Sequence, residues 1–168
     1  LVRYQVFFLI DLQTRCVEVA GITKDAHGAW MAQIARNLTE CFDGFLLGKR
    51  FLILDRDPLF TAQFCALLEG SGVSVVRLPA RSPNLNAYAE RFVLSVRREC
   101  LNRMIPLSEN HLRWALSEYL AHYHKERHHQ GLGGRLIDPG PTEGGTRGRV
   151  LCRSRLGGML RHYSRQAA

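Results

Sequence analysis

Two acidic residues, Asp55 and Glu90, have the chemistry and the surroundings of a divalent-metal site. Asp55 directly follows the apolar run 51–54, which predicts a short buried strand that holds the carboxylate rigidly at its end. Glu90 opens an arginine-rich segment that is predicted to be helical. Carboxylate oxygens are preferred ligands of Mg²⁺, and two ions about 3.5–4 Å apart can activate an attacking oxygen and stabilise the leaving one. The pair therefore predicts metal-dependent phosphodiester chemistry.

Each acid also has a purely structural interpretation. Asp55 can cap a turn, and Asp57 can either join the metal site or, as we favour, cap a helix that starts at Pro58. Glu90 can form an ion pair with Arg91 or Arg97. Taken singly, such acids are more often structural, whereas the pair in its context favours a functional site.

Strands and helices that position these acids can be predicted from the hydrophobic pattern. Strands are predicted at 6–10, 16–22, 51–54 and 73–78, and helices at 27–42, from Pro58 to about 70, from about 88 to 103, and at 109–126. An early hairpin followed by alternating elements indicates an α/β layer fold with a mixed sheet. A Gly- and Pro-rich linker or flexible arm is expected at 133–149, followed by a weak helical stripe at 150–168.

Charge is distributed unevenly along the 168 residues, whose net charge is +8. Residues 1–90 contain as many acids as bases, and all of the excess lies in residues 91–168. This asymmetry favours a polyanionic partner for the C-terminal half over an inert basic surface. The five cysteines have no close spacing and are expected to be buried thiols in a reducing compartment. No apolar stretch has the length of a membrane span.

Four segments, in order, resemble the catalytic core of retroviral-type integrases and of the DDE transposases of insertion sequences. Segment 55–61 resembles the segment that carries the second catalytic aspartate of that family, and 83–92 resembles the helix that carries its glutamate. Segment 123–132 is similar to the Tyr-Asn-x-x-Arg-Pro-His-x-x-Leu signature that follows the core. Residues 7–15 resemble the second strand of the family.

The resemblance implies a ribonuclease H-like mixed sheet flanked by helices, with an N-terminally incomplete core at 1–132, a linker at 133–149 and a basic C-terminal segment at 150–168. It implies that Asp55 and Glu90 hold two Mg²⁺ (or Mn²⁺) ions.

A third carboxylate is also implied. The first catalytic aspartate is expected upstream of Leu1, in a longer parent protein. Asp11 ends a buried strand and is the rival ligand, although it matches a second-strand position.

The implied function is DNA end cleavage and strand transfer, provided that the parent supplies the missing strand. Expected partners are transposon ends and target DNA, with no membrane and with a homo-oligomer in the active complex. The expected location is the bacterial cytoplasm, at the nucleoid when DNA is bound. The candidate DNA contacts are Arg56, Asn86, Arg91, Arg97, Arg98, Lys125, Arg127 and His128, with His129 beside them.

Alternatives remain open at this point. The chain can be a catalytically dead transposase remnant that at most binds DNA, or a ribonuclease H-like nuclease or resolvase. His124 and His128 are four residues apart, a spacing that can also bind a metal ion on a helix.

Overall fold

The computed structural model describes residues 2–79, 83–140 and 148–165. Its strands are β1 (Gln5–Ile10), β2 (Val17–Thr23), β3 (Phe51–Leu54), β4 (Ser74–Arg77), β5 (Val150–Arg155) and β6 (Leu160–Arg165). Its α-helices are α1 (Gly28–Leu38), α2 (Ala62–Gly70), α3 (Ala87–Glu99) and α4 (Glu109–Lys125). Short 3₁₀ turns lie at Pro83–Asn86, Leu101–Arg103, Gln130–Leu132 and Leu156–Gly158. The predicted α/β class is confirmed.

The chain forms two compact units. The first contains Leu1–Leu9 and Glu18–Glu90, and the second contains Ile10–Val17 and Arg91–Ala168.

Strands pair in both senses within the described residues. β1 and β2 are neighbours, and their short connection excludes the crossover that parallel strands need, so they are antiparallel. β3 and β4 are parallel, with Leu54 opposite Arg77, and β5 and β6 are antiparallel, with Cys152 opposite Tyr163. The sequence predicted one mixed sheet. The described residues instead form three two-stranded sheets, of which β3–β4 is parallel and the other two are antiparallel.

The first unit is built around α1, α2 and β3. Ala35, Phe64 and Leu68 are fully buried in its core. β2 passes close to α1 at Gly21, where a Cβ atom would lie 2.6 Å from the Trp30 side chain. Glycine is therefore needed at this point of the strand for steric reasons.

Two helix boundaries in this unit differ from the prediction. α1 ends at Leu38, short of the predicted end at 42, and Phe42 is 87% exposed, because the Glu40 carboxylate accepts the Phe42 N–H and turns the chain. α2 begins at Ala62, after the N-cap Thr61, and not at Pro58. The Asp57 carboxylate instead accepts the Leu59 N–H at 2.8 Å, so the prediction that Asp57 caps a helix is wrong.

The core of the second unit lies between α3 and α4. The Phe92 ring packs edge-on against Tyr123, with ring centroids 5.2 Å apart. Ser108 caps α4, since its hydroxyl accepts the His111 N–H at 3.1 Å. Leu107, just before this cap, is 85% exposed and does not pack onto the helix.

The last described segment is a β-hairpin, so the predicted helical stripe is wrong. Leu156, Gly157 and Gly158 all have positive φ angles of 50–92°, a left-handed turn that glycine favours and a helix cannot contain. The described part of the expected linker is bonded to the end of α4, where the Asp138 N–H donates to the His124 carbonyl at 2.9 Å. Residues 141–147 and 166–168 lie outside the described residues.

Two bulk features can be compared with the structure. The five cysteines are free thiols, but only Cys100 is buried, and Cys41 and Cys152 are exposed. None of the helices in the described ranges combines the length and apolarity that crossing a membrane requires.

Candidate active site

Asp55 lies at the carboxyl end of the parallel pair β3–β4, on the surface of the first unit. Its Oδ1 accepts the Asp57 N–H at 3.0 Å, which fixes the orientation of the carboxylate. Within residues 2–79, 83–140 and 148–165 it forms no ion pair. Beside it, exposed Arg56 donates from Nε to the Leu78 carbonyl at 3.0 Å. Asp55 therefore supports the turn through Oδ1 and keeps its second carboxylate oxygen available.

Glu90 lies in the first turn of α3 and is exposed. The helix N-terminus favours an acid at this position. The ion pair with Arg91 or Arg97 that the sequence allowed does not form, and Glu90 has no other ion-pair partner among the described side chains. Asn86, at the end of the preceding 3₁₀ turn, is half-buried. Asp55 and Glu90 thus belong to the same unit and share the same exposed, unpaired character.

The donor chemistry of this pair suits a divalent metal, because exposed carboxylate oxygens are hard ligands that leave room for water and phosphate oxygens. Across the described parts of the chain, no three His, Cys, Asp or Glu side chains cluster in a way that could hold a metal ion. The metal-binding role of Asp55 and Glu90 therefore stays a prediction.

Asp11, the rival ligand, belongs to the second unit. Its Oδ1 accepts the N–H groups of Gln13 and Thr14 at 2.8 and 3.2 Å. The structure thus places this carboxylate in the turn that follows β1, and its metal-binding role stays a prediction.

The candidate DNA contacts of the second unit differ in how far they are engaged. Arg91, Arg97 and Arg98 are exposed on α3. Lys125 is also exposed, with its Nζ 3.6 Å from the Asp138 carboxylate. These four cations can reach an external polyanion.

Arg127 has an intramolecular partner. Its guanidinium lies 2.9 Å from a Glu99 carboxylate oxygen, and the Tyr119 hydroxyl donates to the same carboxylate at 3.1 Å. Burial alone would lower the pKa of Arg127, but the hydrogen bonds and charge of Glu99 raise it. Burial, with help from Glu99, raises the pKa of Tyr119. The segment that resembles the family signature therefore ties the end of α4 to α3.

The histidines near Arg127 are also bonded within the second unit. His124 Nε2 accepts the Val17 N–H at 3.0 Å, and burial lowers the pKa of His124. Burial likewise lowers the pKa of His129, whose Nε2 lies 2.7 Å from the Tyr123 carbonyl. His128 lies beyond the end of α4 and bonds the Gly134 carbonyl at 2.7 Å, so the metal-binding helical pair with His124 does not form.

Sequence reasoning missed a buried ionic network centred on Glu126, which is 4% exposed. Arg155 donates to its carboxylate at 2.7 and 3.0 Å, and His122 Nδ1 lies 3.1 Å away. Burial raises the pKa of Glu126, but these hydrogen bonds outweigh it and lower the pKa to about 2. No local pattern links Glu126 to Arg155, because the two residues are 29 positions apart.

Comparisons with known proteins indicate which family this chain resembles. A family model described as "Integrase core domain" matches residues 71–136. An uncharacterized 39.2 kDa protein of insertion element IS476, from Xanthomonas euvesicatoria, is 31% identical over 134 residues. Both matches support the integrase and transposase family for this chain. The alignment covers 78% of this chain but only 37% of that relative.

The catalytic core domain of BIV integrase is similar in structure to this chain. The TM-score is 0.55 at 16% identity, covering 80% of this chain and 89% of the other. This likeness supports the ribonuclease H-like fold. The family match includes Glu90 and Arg127, whereas Asp55 lies on its N-terminal side. The comparisons do not favour the nuclease or resolvase interpretation.

Proposed function

We propose that this chain acts as the catalytic core of a transposase that cleaves DNA ends and joins them to target DNA in a metal-dependent reaction. The observation that carries the proposal is the pair of exposed acids Asp55 and Glu90, which lie in one unit and have no ion-pair partner among the described residues.

Integrase-family core domains generally use divalent metals, and such ions, when bound, activate the attacking oxygen and stabilise the leaving one. Asp55 would offer its second oxygen while Oδ1 keeps its bond to the Asp57 N–H. Glu90 would supply the other carboxylate. Arg56 is anchored at the Leu78 carbonyl beside Asp55 and would bind a phosphate of the DNA.

DNA binding is assigned to side chains that are exposed. We propose phosphate contacts for Arg91, Arg97, Arg98 and Lys125, and contact with DNA or support of Glu90 for Asn86. Such contacts make binding fall steeply with salt, because each neutralised phosphate releases counterions. Arg127 and His128 would contribute mainly by holding this surface in place, since both are already bonded within the unit. Two DNA ends imply at least a dimer in the working complex.

The test compares neutralised acids with matched controls. Asp55→Asn keeps the oxygen that accepts the Asp57 N–H, and Glu90→Gln changes only charge. The full-length protein encoded by the gene is assayed for joining of labelled DNA that carries the sequences flanking the gene, in Mg²⁺ and in Mn²⁺. We expect each variant to lose at least about a hundred-fold in joining rate, because a metal ligand contributes several kcal/mol to the transition state. DNA binding should stay within about two-fold.

Glu69→Gln and Glu18→Gln are the controls, since both remove an exposed acid of the first unit at another position. They should join DNA at the wild-type rate. Undiminished joining by Asp55→Asn would refute the assignment. A full-length wild-type protein that binds DNA but never joins it would indicate a remnant, and cleavage of RNA–DNA hybrids without joining would indicate a nuclease.

A further inference from the structure

A cavity of about 610 Å³ lies in the second unit, between the segment that follows α4 and strand β6. Its cationic and aromatic lining includes His128, Arg135, Tyr163 and Arg165, and its apolar lining includes Leu132 and Leu136. None of the described residues that line it is acidic. The cavity therefore suits an anionic ligand that also has a flat apolar part.

Strand β6 presents aromatic and cationic side chains on its outer face. Successive side chains of a strand point to opposite faces, so Arg161, Tyr163 and Arg165 share one face at intervals of about 6.6 Å. All three are exposed, and Tyr163 is 61% exposed. The opposite face carries Leu160, which is buried. An exposed aromatic ring flanked on both sides by arginines is the arrangement of a stacking platform for unpaired bases.

The inner face of the hairpin is fixed to α4. Arg155 bonds the Glu126 carboxylate, and His162 Nδ1 lies 3.0 Å from the Glu126 carbonyl oxygen. These contacts hold the hairpin so that its outer face is presented to a ligand.

Two arginines of the cavity are held by backbone groups. The Arg135 Nε donates to the Leu132 carbonyl at 3.1 Å, and the Arg165 Nη1 donates to the Gly148 carbonyl at 3.0 Å. Each bond uses one donor of a guanidinium that has five, so several N–H groups remain to contact phosphate oxygens.

We propose that β6 and this cavity bind a single-stranded segment of DNA, with one base stacked on Tyr163 and the neighbouring phosphates bound by Arg161 and Arg165. Stacking needs an unpaired base, because a duplex hides the faces of its bases. The choice of DNA rests on the proposed function, whereas the preference for a single strand rests on the ring, the cavity and the absence of acids in its described lining.

The experiment measures binding of a fluorescently labelled, mixed-sequence 12-nucleotide DNA to the 168-residue chain by anisotropy, in EDTA. Tyr163→Ala should weaken binding about ten-fold, within the range measured for loss of one stacked base. Tyr163→Phe keeps the ring and should bind within about two-fold of wild type. Circular dichroism checks that the variants keep their fold, which is expected because Tyr163 is exposed.

Charge is tested separately. Arg165→Ala should lower the slope of log affinity against log salt by about 0.7, the value for one single-strand phosphate contact. Arg36→Ala removes an exposed arginine from the first unit and should leave the slope unchanged.

An abasic oligonucleotide of equal length separates stacking from charge. Wild type should bind it about ten-fold more weakly than the normal strand, and Tyr163→Ala should bind both alike. Equal binding of the two strands by wild type, an unaffected Tyr163→Ala variant, tighter binding of the same sequence as a duplex, or binding of RNA alone would overturn the proposal.

Failure here can be distinguished from failure of the proposed function. Because EDTA removes metal, Asp55→Asn should bind the strand like wild type. Loss of joining in Asp55→Asn with no effect of Tyr163→Ala would leave the catalytic proposal standing and refute this one, and the reverse pattern would refute only the catalytic proposal.

Discussion

The two units use acidic side chains in opposite ways. In the first unit, Asp55 and Glu90 are exposed and have no ion-pair partner among the described residues. In the second, Glu99 is half-buried and Glu126 is buried, and they are bonded to Arg127 and Arg155. All four are carboxylic acids, and the difference lies in desolvation and in the partner.

This difference separates architecture from available chemistry. A buried carboxylate is costly unless it is paired, so Glu126 and Arg155 depend on each other. An exposed carboxylate stays ionised in water without a partner and remains available to an external cation. Glu99 and Glu126, which form ion pairs in the structure, are therefore less available for catalysis than Asp55 and Glu90.

The two tryptophans allow the stability of each unit to be measured separately. Trp30 lies in α1 of the first unit, and Trp114 lies in α4 of the second. Replacing either one by Phe leaves a fluorescence signal from the other unit alone.

The largest expected effect is that of Glu126→Gln. Removing the charge of Glu126 leaves Arg155 with only the longer contact to Glu118, at 3.3 Å, so we expect a loss of about 3–5 kcal/mol in unfolding free energy. Urea unfolding followed through Trp114 measures it. Glu18→Gln, at an exposed acid, is the control and should change stability by less than about 0.5 kcal/mol. A loss below 1 kcal/mol for Glu126→Gln would show that the network is not what stabilises the second unit.

The next effect is acid destabilisation of the same unit. The pKa of Glu126 is about 2 in the folded chain, against an ordinary value of 4.5. Because the folded value is the lower one, the stabilisation is complete above about pH 5 and is lost as pH falls toward 2. A shift of this size corresponds to about 3 kcal/mol.

Urea unfolding at a series of pH values tests this effect. Wild type should lose stability between pH 5 and 2 much more steeply than Glu126→Gln, which has no carboxylate to protonate. Parallel profiles for the two proteins would contradict the assigned pKa of Glu126.

The smallest expected effect belongs to the acids of the first unit. Asp55→Asn and Glu90→Gln should change the unfolding free energy by less than about 0.5 kcal/mol, because both residues are exposed and unpaired among the described residues. Trp30 fluorescence reports this change. Added Mn²⁺ should raise the melting temperature of wild type more than that of either variant, since a ligand stabilises the state that binds it. A large destabilisation in the absence of metal would instead give these acids a structural role.

The prediction from sequence succeeded where the signal was local. The apolar run 51–54 coincides with β3, although its predicted burial is wrong for Phe51 and Ile53, which are 58% and 43% exposed. It failed where the weak stripe at 150–168 suggested a helix, because Gly157 and Gly158 form the turn of a hairpin. Strand pairing depends on a remote partner that no short window contains.

The residues of the candidate site likewise divide into those that the sequence could identify and those whose contacts only the structure shows. Asp55 and Glu90 could be selected from residue type and from the order of the segments around them. Arg127 was selected with equal reason as a DNA contact, and its ion pair with Glu99, 28 positions away, is visible only in three dimensions. The cavity beside Tyr163 had no sequence signal, since its walls come from a turn and from a strand predicted to be a helix.

By itself, the sequence determined most of the strands and helices before residue 126, the basic C-terminal half and the acids that resemble those of the family, because periodicity, caps and short motifs act over a few residues. Only the tertiary structure decided which charged groups are withdrawn from water and paired and which remain exposed. The reason is physical: desolvation and ion pairing depend on neighbours in space, and here the decisive neighbours are 28 and 29 residues apart along the chain.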